Sequence, residues 1–164
     1  FPRLPLYLFS APREAWPARK HASPLAAAAI SASDLPDIAA IEACALGLSR
    51  EKHHRYLIGG SELKGFLFRE GGISVGYAYI SPEGHVGPLA VSRPDAMGPV
   101  FAAALERAGE AGSTQMSALI PGVGEAALGV AVAHGMRIAF PMMLMSSYAF
   151  GDWSCYLPRN PGFM

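Results

Sequence analysis

Gly76-Tyr-Ala-Tyr-Ile80, the turn Ser81-Pro-Glu-Gly84 and the run His85-Val-Gly-Pro-Leu-Ala-Val91 open the stretch that decides the fold. Two extended runs joined by a proline–glycine turn read as consecutive strands. A helical pattern follows from Asp95 to about Ala111. A short strand, Gln115 to Ile120, then breaks at Pro121-Gly122 into a second helix that ends at His134-Gly135-Met136. Strand, strand, helix, strand, helix in unbroken order predicts an α/β domain with a mixed sheet flanked by helices.

Upstream, Leu63 to Arg69 and Ile73 to Ile80 read as a hairpin around Glu70-Gly71-Gly72. Ser33 and Asp34 are candidate N-caps for a helix with Pro36 in its first turn, running to about Leu46; Ile38, Ile41 and Ala45 share its buried face. Ser49 is the expected cap of a second short helix, to about Ile58, ended by Gly59-Gly60. Leu25 to Ile30 is the expected first strand of a domain covering 24–164. Phe1 to Phe9 alternates like a strand, with Pro2 and Pro5 suiting only an edge, and Ala11 to Ser23 reads as a linker. Downstream, Met142 to Met145 belong to one apolar strand, and Trp153-Ser-Cys-Tyr156 begins another.

Composition narrows the function classes. Thirteen basic residues balance thirteen acidic ones, so the chain has no electrostatic footprint for nucleic acid or an anionic membrane. Only 16% of residues are charged, against about 25% in an average domain. So uncharged a surface is expected to be covered in part by another chain or domain. Cys44 and Cys155 form neither a disulfide framework nor a metal-binding spacing. They read as ordinary thiols of a cytoplasmic protein. The most hydrophobic window, Ala126 to Met145, has His134, Gly135 and Arg137 at its middle and Pro141 beyond them, which predicts two buried elements instead of a membrane span.

The order from Gly76 to Met136, with its Gly87-Pro-Leu-Ala-Val91 strand, resembles the acyl-CoA-binding half of the GNAT (Gcn5-related) N-acetyltransferases, and in particular the carboxy-terminal half of tandem-GNAT proteins. The resemblance covers about Leu25 to Met164. It implies transfer of an acetyl group from acetyl-CoA to a small-molecule amine, and a second GNAT-like domain or another copy as partner. The segment 1–23 would be the exit of a preceding half. Leu89, Ala90 and Val91 would line the pantetheine, with an amide of Leu89 or Ala90 polarising the thioester carbonyl. Arg93, Met97 and Gly98 would meet the pyrophosphate at the start of the following helix. His85 would be the candidate general base, with Glu83 beside it.

The same comparison marks departures. The family's loop has the form Arg/Gln-x-x-Gly-x-Gly/Ala, whereas this chain reads Ser92-Arg93-Pro94-Asp95-Ala96-Met97-Gly98-Pro99. Pro99 removes an amide donor, and Asp95 brings a negative charge near the phosphates or simply caps the helix. Gly124 stands where the family usually has Asn. Ala131 stands where many members carry the Tyr that protonates the departing thiolate. Tyr77 and Tyr79 read as core or interface aromatics, Tyr148 and Trp153 as strand-pairing aromatics or lining of an acceptor pocket, and His53-His54-Arg55 as a solvated helix face. Two readings follow: an acetyltransferase-like domain with a degenerate cofactor loop, or a GNAT-fold half that serves recognition or association. A homodimeric ligand-binding module is a third.

Overall fold

A computed structural model describes residues 2–16, 23–60 and 62–161. Among these residues eight strands form one sheet: β1 (Pro2–Pro12), β2 (Ala26–Ala29), β3 (Lys64–Glu70), β4 (Ile73–Ile80), β5 (His85–Val91), β6 (Gln115–Pro121), β7 (Arg137–Met145) and β8 (Tyr156–Leu157). Seven of them run in the order β2-β3-β4-β5-β6-β1-β7, and β8 pairs with β5. Among the described residues four α-helices complete the fold: α1 (Leu35–Leu46), α2 (Glu51–Gly60), α3 (Met97–Glu110) and α4 (Glu125–Ala133). The expected linker falls partly on β1 and a single helical turn at Arg13–Ala15. The rest of it, 17–22, lies outside the described residues.

The helices divide between the two faces of the sheet for a reason visible in β4. Successive side chains of a strand point to opposite sides. The Tyr77 hydroxyl donates to Glu42 of α1, while a side chain at its neighbour Gly76 would meet Val100 of α3. Both faces are apolar here: Val75, Tyr77, Ala78, Tyr79, Leu89, Ala90 and Val91 are all essentially inaccessible. Strands buried on both sides lose the polar alternation of a surface strand, which matches the continuous apolar run of Val86 to Val91.

The amino-terminal strand is not an edge. β1 lies between β6 and β7, antiparallel to both, and Leu6 to Ser10 are paired on both sides. The prolines are tolerated because β1 overhangs β6. Pairing with β6 stops at Leu6 opposite Pro121, the last residue of that strand, and Pro2 to Pro5 face only β7 across a ladder. The Pro5 carbonyl accepts from the Gly122 amide at 2.8 Å. A residue's N–H and C=O point to the same side of a strand, so the donor that Pro5 lacks would point past the end of β6.

Two capping expectations shift. The Asp34 side chain makes no cap bond for α1; it accepts from the Ser31 amide at 2.8 Å, closing a capping box one short turn earlier. Arg50, not Ser49, precedes α2, since the His54 amide bonds the Arg50 carbonyl. Among the described residues no helix is long and apolar enough to cross a membrane; the hydrophobic window 126–145 divides into α4 and β7.

Candidate functional site

β5 and β6 are parallel neighbours for only two residue pairs, His85 with Ser117 and Val86 with Ala118. Beyond Val86 they part, leaving a cleft along Gly87 to Val91. One edge of this part of β5 is taken by β4, through Gly76–Val91, Tyr77–Ala90 and Ala78–Leu89. The other edge, which faces the cleft, is taken by the chain's own carboxy-terminal segment. Leu157 pairs with Leu89 and Tyr156 with Ala90. The Val91 amide donates to the Cys155 carbonyl at 3.0 Å.

The segment continues antiparallel to β5 towards His85. At Gly87 the backbones come so close that a Cβ would sit 2.8 Å from the Pro158 carbonyl oxygen. The Arg159 carbonyl lies 2.6 Å from His85 Nε2. Cys155, Tyr156, Leu157 and Pro158 are all buried. The groups expected to receive pantetheine, at Leu89, Ala90 and Val91, are therefore paired within the chain.

The expected phosphate end of the cleft is charged against an anion. Arg93 ion-pairs with Glu70 and with Asp95, so one guanidinium stands between two carboxylates. Asp95 is not a helix cap: its side chain is spent on Arg93, and α3 has no side-chain cap bond. Met97 is buried and its amide bonds the Pro94 carbonyl. Gly98 is half-buried, facing Ala126 and Val130 of α4.

At the opposite end, Ser81, Glu83, His85, Leu8, Leu119, Met142, Arg159, Asn160 and Pro161 line an open pocket of about 340 Å³. Both ring nitrogens of His85 are engaged, Nδ1 with the Ser117 hydroxyl at 2.8 Å and Nε2 with Arg159. Burial pushes its pKa below the ordinary value, so the ring is neutral at pH 7. One nitrogen donates to the Arg159 carbonyl, leaving the other to accept from Ser117. Glu83 is exposed, and a hydrogen bond from Ser81 lowers its pKa. The pocket thus offers an apolar floor with both a carboxylate, Glu83, and a guanidinium, Arg159, in its lining. Gly84 lies behind it, at φ 91°, where a Cβ would come 2.0 Å from the Gln115 carbonyl oxygen; no other residue fits.

Beneath the cleft lies a polar network that sequence reasoning missed. Glu42 is wholly buried on α1. Its carboxylate accepts from the Arg50 side chain, from the Arg50 backbone amide at 2.8 Å and from the Tyr77 hydroxyl at 2.9 Å. His54 Nε2 stands 3.1 Å away, and the other ring nitrogen of His54 bonds the Tyr79 hydroxyl at 3.0 Å. Arg50 also donates to the Tyr156 hydroxyl at 2.8 Å, which ties the network to the segment in the cleft. Burial opposes ionisation of Glu42, but hydrogen bonds from His54 and Arg50 and their charges prevail and hold its pKa at about 2. Burial pushes Tyr156 up to about 12. The same network corrects the reading of 53–55: His54 is core, and only Arg55 is a solvated charge, paired with Glu51. The signal was present, because Glu42 falls beside Ile41 in the Ile38–Ala45 stripe.

The remaining candidates lie apart. Tyr148 is 69% exposed, Trp153 is buried against Tyr156 and Phe150, and the two cysteines are unpaired, Cys44 at the surface and Cys155 in the core. Among the described residues no cluster could hold a metal ion.

No protein-family model and no curated protein sequence matches the chain. Solved structures do. A proposed acetyltransferase from Pyrococcus horikoshii superposes with a TM-score of 0.71 at 15% identity, over 100% of this chain and 53% of that one. A GCN5-related N-acetyltransferase from Kribbella flavida gives 0.57 at 14% identity, over 90% and 58%. A proposed GNAT-family acetyltransferase from Novosphingobium aromaticivorans gives 0.60 at 14% identity, over 85% and 62%. The chain therefore has the GNAT acetyltransferase fold, and it spans between half and two thirds of the length of these structures.

Proposed function

We propose that this chain is a GNAT-fold recognition module: it keeps the acyltransferase architecture, has given its cofactor cleft to its own carboxy-terminal segment, and binds a small amine without acetylating it. The observation that carries the reading is the pairing of Leu89, Ala90 and Val91 with residues 155–157. A pantetheine arm would need the same backbone groups. To enter, it would have to expel four consecutive buried residues, including the Tyr156 ring. Unburying one such aromatic alone costs about 3 kcal/mol. The pyrophosphate end adds to this, since Arg93 is already shared by Glu70 and Asp95. The residues present do not fit coenzyme A.

Beside Glu83 and His85 a pocket of about 340 Å³ remains open to a ligand. Its chemistry suits an ammonium against Glu83 and an apolar body over Leu8, Leu119 and Met142. His85 is better placed to hold Arg159 than to accept a proton, because both its nitrogens are occupied.

Titration calorimetry with acetyl-CoA tests the reading. We expect no saturable heat up to millimolar ligand and no transfer to primary amines. Saturable one-to-one binding in the micromolar range, or amine acetylation by the purified chain, overturns it in favour of an enzyme. In that enzyme Leu89 to Val91, Arg93, Met97 and Gly98 would hold the cofactor and His85 and Glu83 the acceptor.

A further inference from the structure

Two opposite charges line one pocket and do not pair with each other. Glu83 and Arg159 both border the pocket of about 340 Å³ over Leu8, Leu119 and Met142. Among the described residues neither makes an ion pair, with the other or with a third group. Elsewhere an arginine near a carboxylate holds it: Arg50, Arg55, Arg69, Arg93 and Arg107 each do so.

Both charges reach the His85 ring. Burial is the largest influence on that imidazole, and the charges of Arg159 and Glu83 then act on it in opposite senses. The Arg159 charge also reaches His53 of α2, after burial and Arg50 among the causes that lower the pKa there. The guanidinium therefore stands on the α2 side of the sheet. The floor of the pocket is on that side too. Val86 pairs with Ile80, so their neighbours His85 and Tyr79 share the other face, where Tyr79 meets His54 of α2. Ser117, bonded to His85, and Leu119 two residues on share that face, with Leu8 opposite Leu119.

The backbone fixes where each charge begins. The Arg159 carbonyl is held by His85, and its Cα stands so close to Gly87 that a Cβ there would come within 3.1 Å. Glu83 lies in a turn closed by the Gly84 amide on the Ser81 carbonyl at 3.0 Å. A pocket with anchored charges of both signs selects by charge. A lone ammonium gains from Glu83 and loses against Arg159, and a lone carboxylate does the reverse. A molecule that carries both signs satisfies both groups. His85 is neutral, so the charges of the lining cancel as those of a zwitterion do.

We infer that the pocket binds a free amino acid with an apolar side chain. Its ammonium meets Glu83, its carboxylate meets the Arg159 guanidinium, and its side chain lies over Leu8, Leu119 and Met142. A guanidinium offers paired donors that match a carboxylate. The volume falls at the low end of small-molecule sites, about 300–1,000 Å³, which suits one amino acid. The inference rests on the reading of this pocket as a ligand site and narrows the amine to a zwitterion.

NMR titration read at the His85 ring compares leucine with 3-methylbutylamine, which lacks the carboxylate, and 4-methylpentanoate, which lacks the ammonium. All three share one apolar tail. We expect leucine to bind at least about tenfold more tightly than either. Glu83→Gln should weaken leucine and strengthen 4-methylpentanoate. Arg159→Gln, which keeps the carbonyl that His85 holds, should weaken leucine and strengthen 3-methylbutylamine. Misfolding cannot produce that crossed pattern. If 3-methylbutylamine binds as tightly as leucine, the zwitterion is overturned while the amine site stands, so the two readings fail separately. Leucinamide that matches leucine also overturns it, and assigns the pocket to peptide amino-termini. Leucine binding unchanged in both variants overturns it as well. No shift at His85 with any of the ligands, up to their solubility, overturns both readings.

Discussion

Glu42 shows how one side chain joins three elements. It sits on α1, bonds the Arg50 amide that leads into α2, and accepts the Tyr77 hydroxyl from β4. Its folded pKa of about 2 lies below the ordinary carboxylate value. On acidification the unfolded chain therefore takes up its proton first, so the stabilisation is complete above about pH 5 and is lost as pH falls towards 2. Glu42→Gln leaves the Arg50 guanidinium without its counter-charge, a change that costs about 3–5 kcal/mol when the pair is buried. Urea unfolding of both proteins from pH 7 to pH 3 should show the variant markedly less stable at pH 7 and the gap narrowing at low pH. A gap that stays constant would mean that the charge of Glu42 contributes nothing. Tyr156 is the matching residue on the cleft side. Tyr156→Phe removes only the bond from Arg50 and should cost about 1 kcal/mol, whereas Tyr156→Ala empties a fully buried site and should cost about 3–5 kcal/mol. Similar, small losses for both would mean that the segment is loosely held and the cleft can open.

At the scale of elements, β1 and β8 are the two that pattern reading placed least well. Alternation identifies Phe1 to Phe9 as a strand, and its prolines point to an edge. The position between β6 and β7 depends on how far β6 extends, which no local pattern in 1–12 encodes. If β1 is the piece that joins β6 to β7, a chain lacking residues 1–12 should lose its cooperative thermal transition, because β7 would have no remaining strand partner. A truncated chain that melts cooperatively would show that the rest of the domain closes without it. β8 is only two residues long. The sequence places a strand beginning at Trp153, and the structure shortens it to Tyr156–Leu157; its partner, the edge that β5 offers after it leaves β6, is set by no local pattern.

For the molecule as a whole, the order of elements from Gly76 to Met136 was enough to propose the architecture, because each turn residue and each switch from alternating to helical spacing is local chemistry. The departures at Asp95, Pro99, Gly124 and Ala131 were equally legible, being identities at single positions. Two decisions belong to the tertiary structure alone. One is the occupant of the cleft: residues 155–159 and 87–91 lie far apart in sequence, and what unites them is the unpaired backbone edge that appears only when β5 and β6 diverge. The other is the Glu42–Arg50–His54 network. Glu42 falls in the buried stripe of α1, but Arg50 and His54 look like surface residues, and the three meet only because α1 and α2 close over Tyr77, Tyr79 and Tyr156. Local sequence sets which residues can form strands, helices and charges; long-range packing decides which backbone edges and which charges are left facing one another.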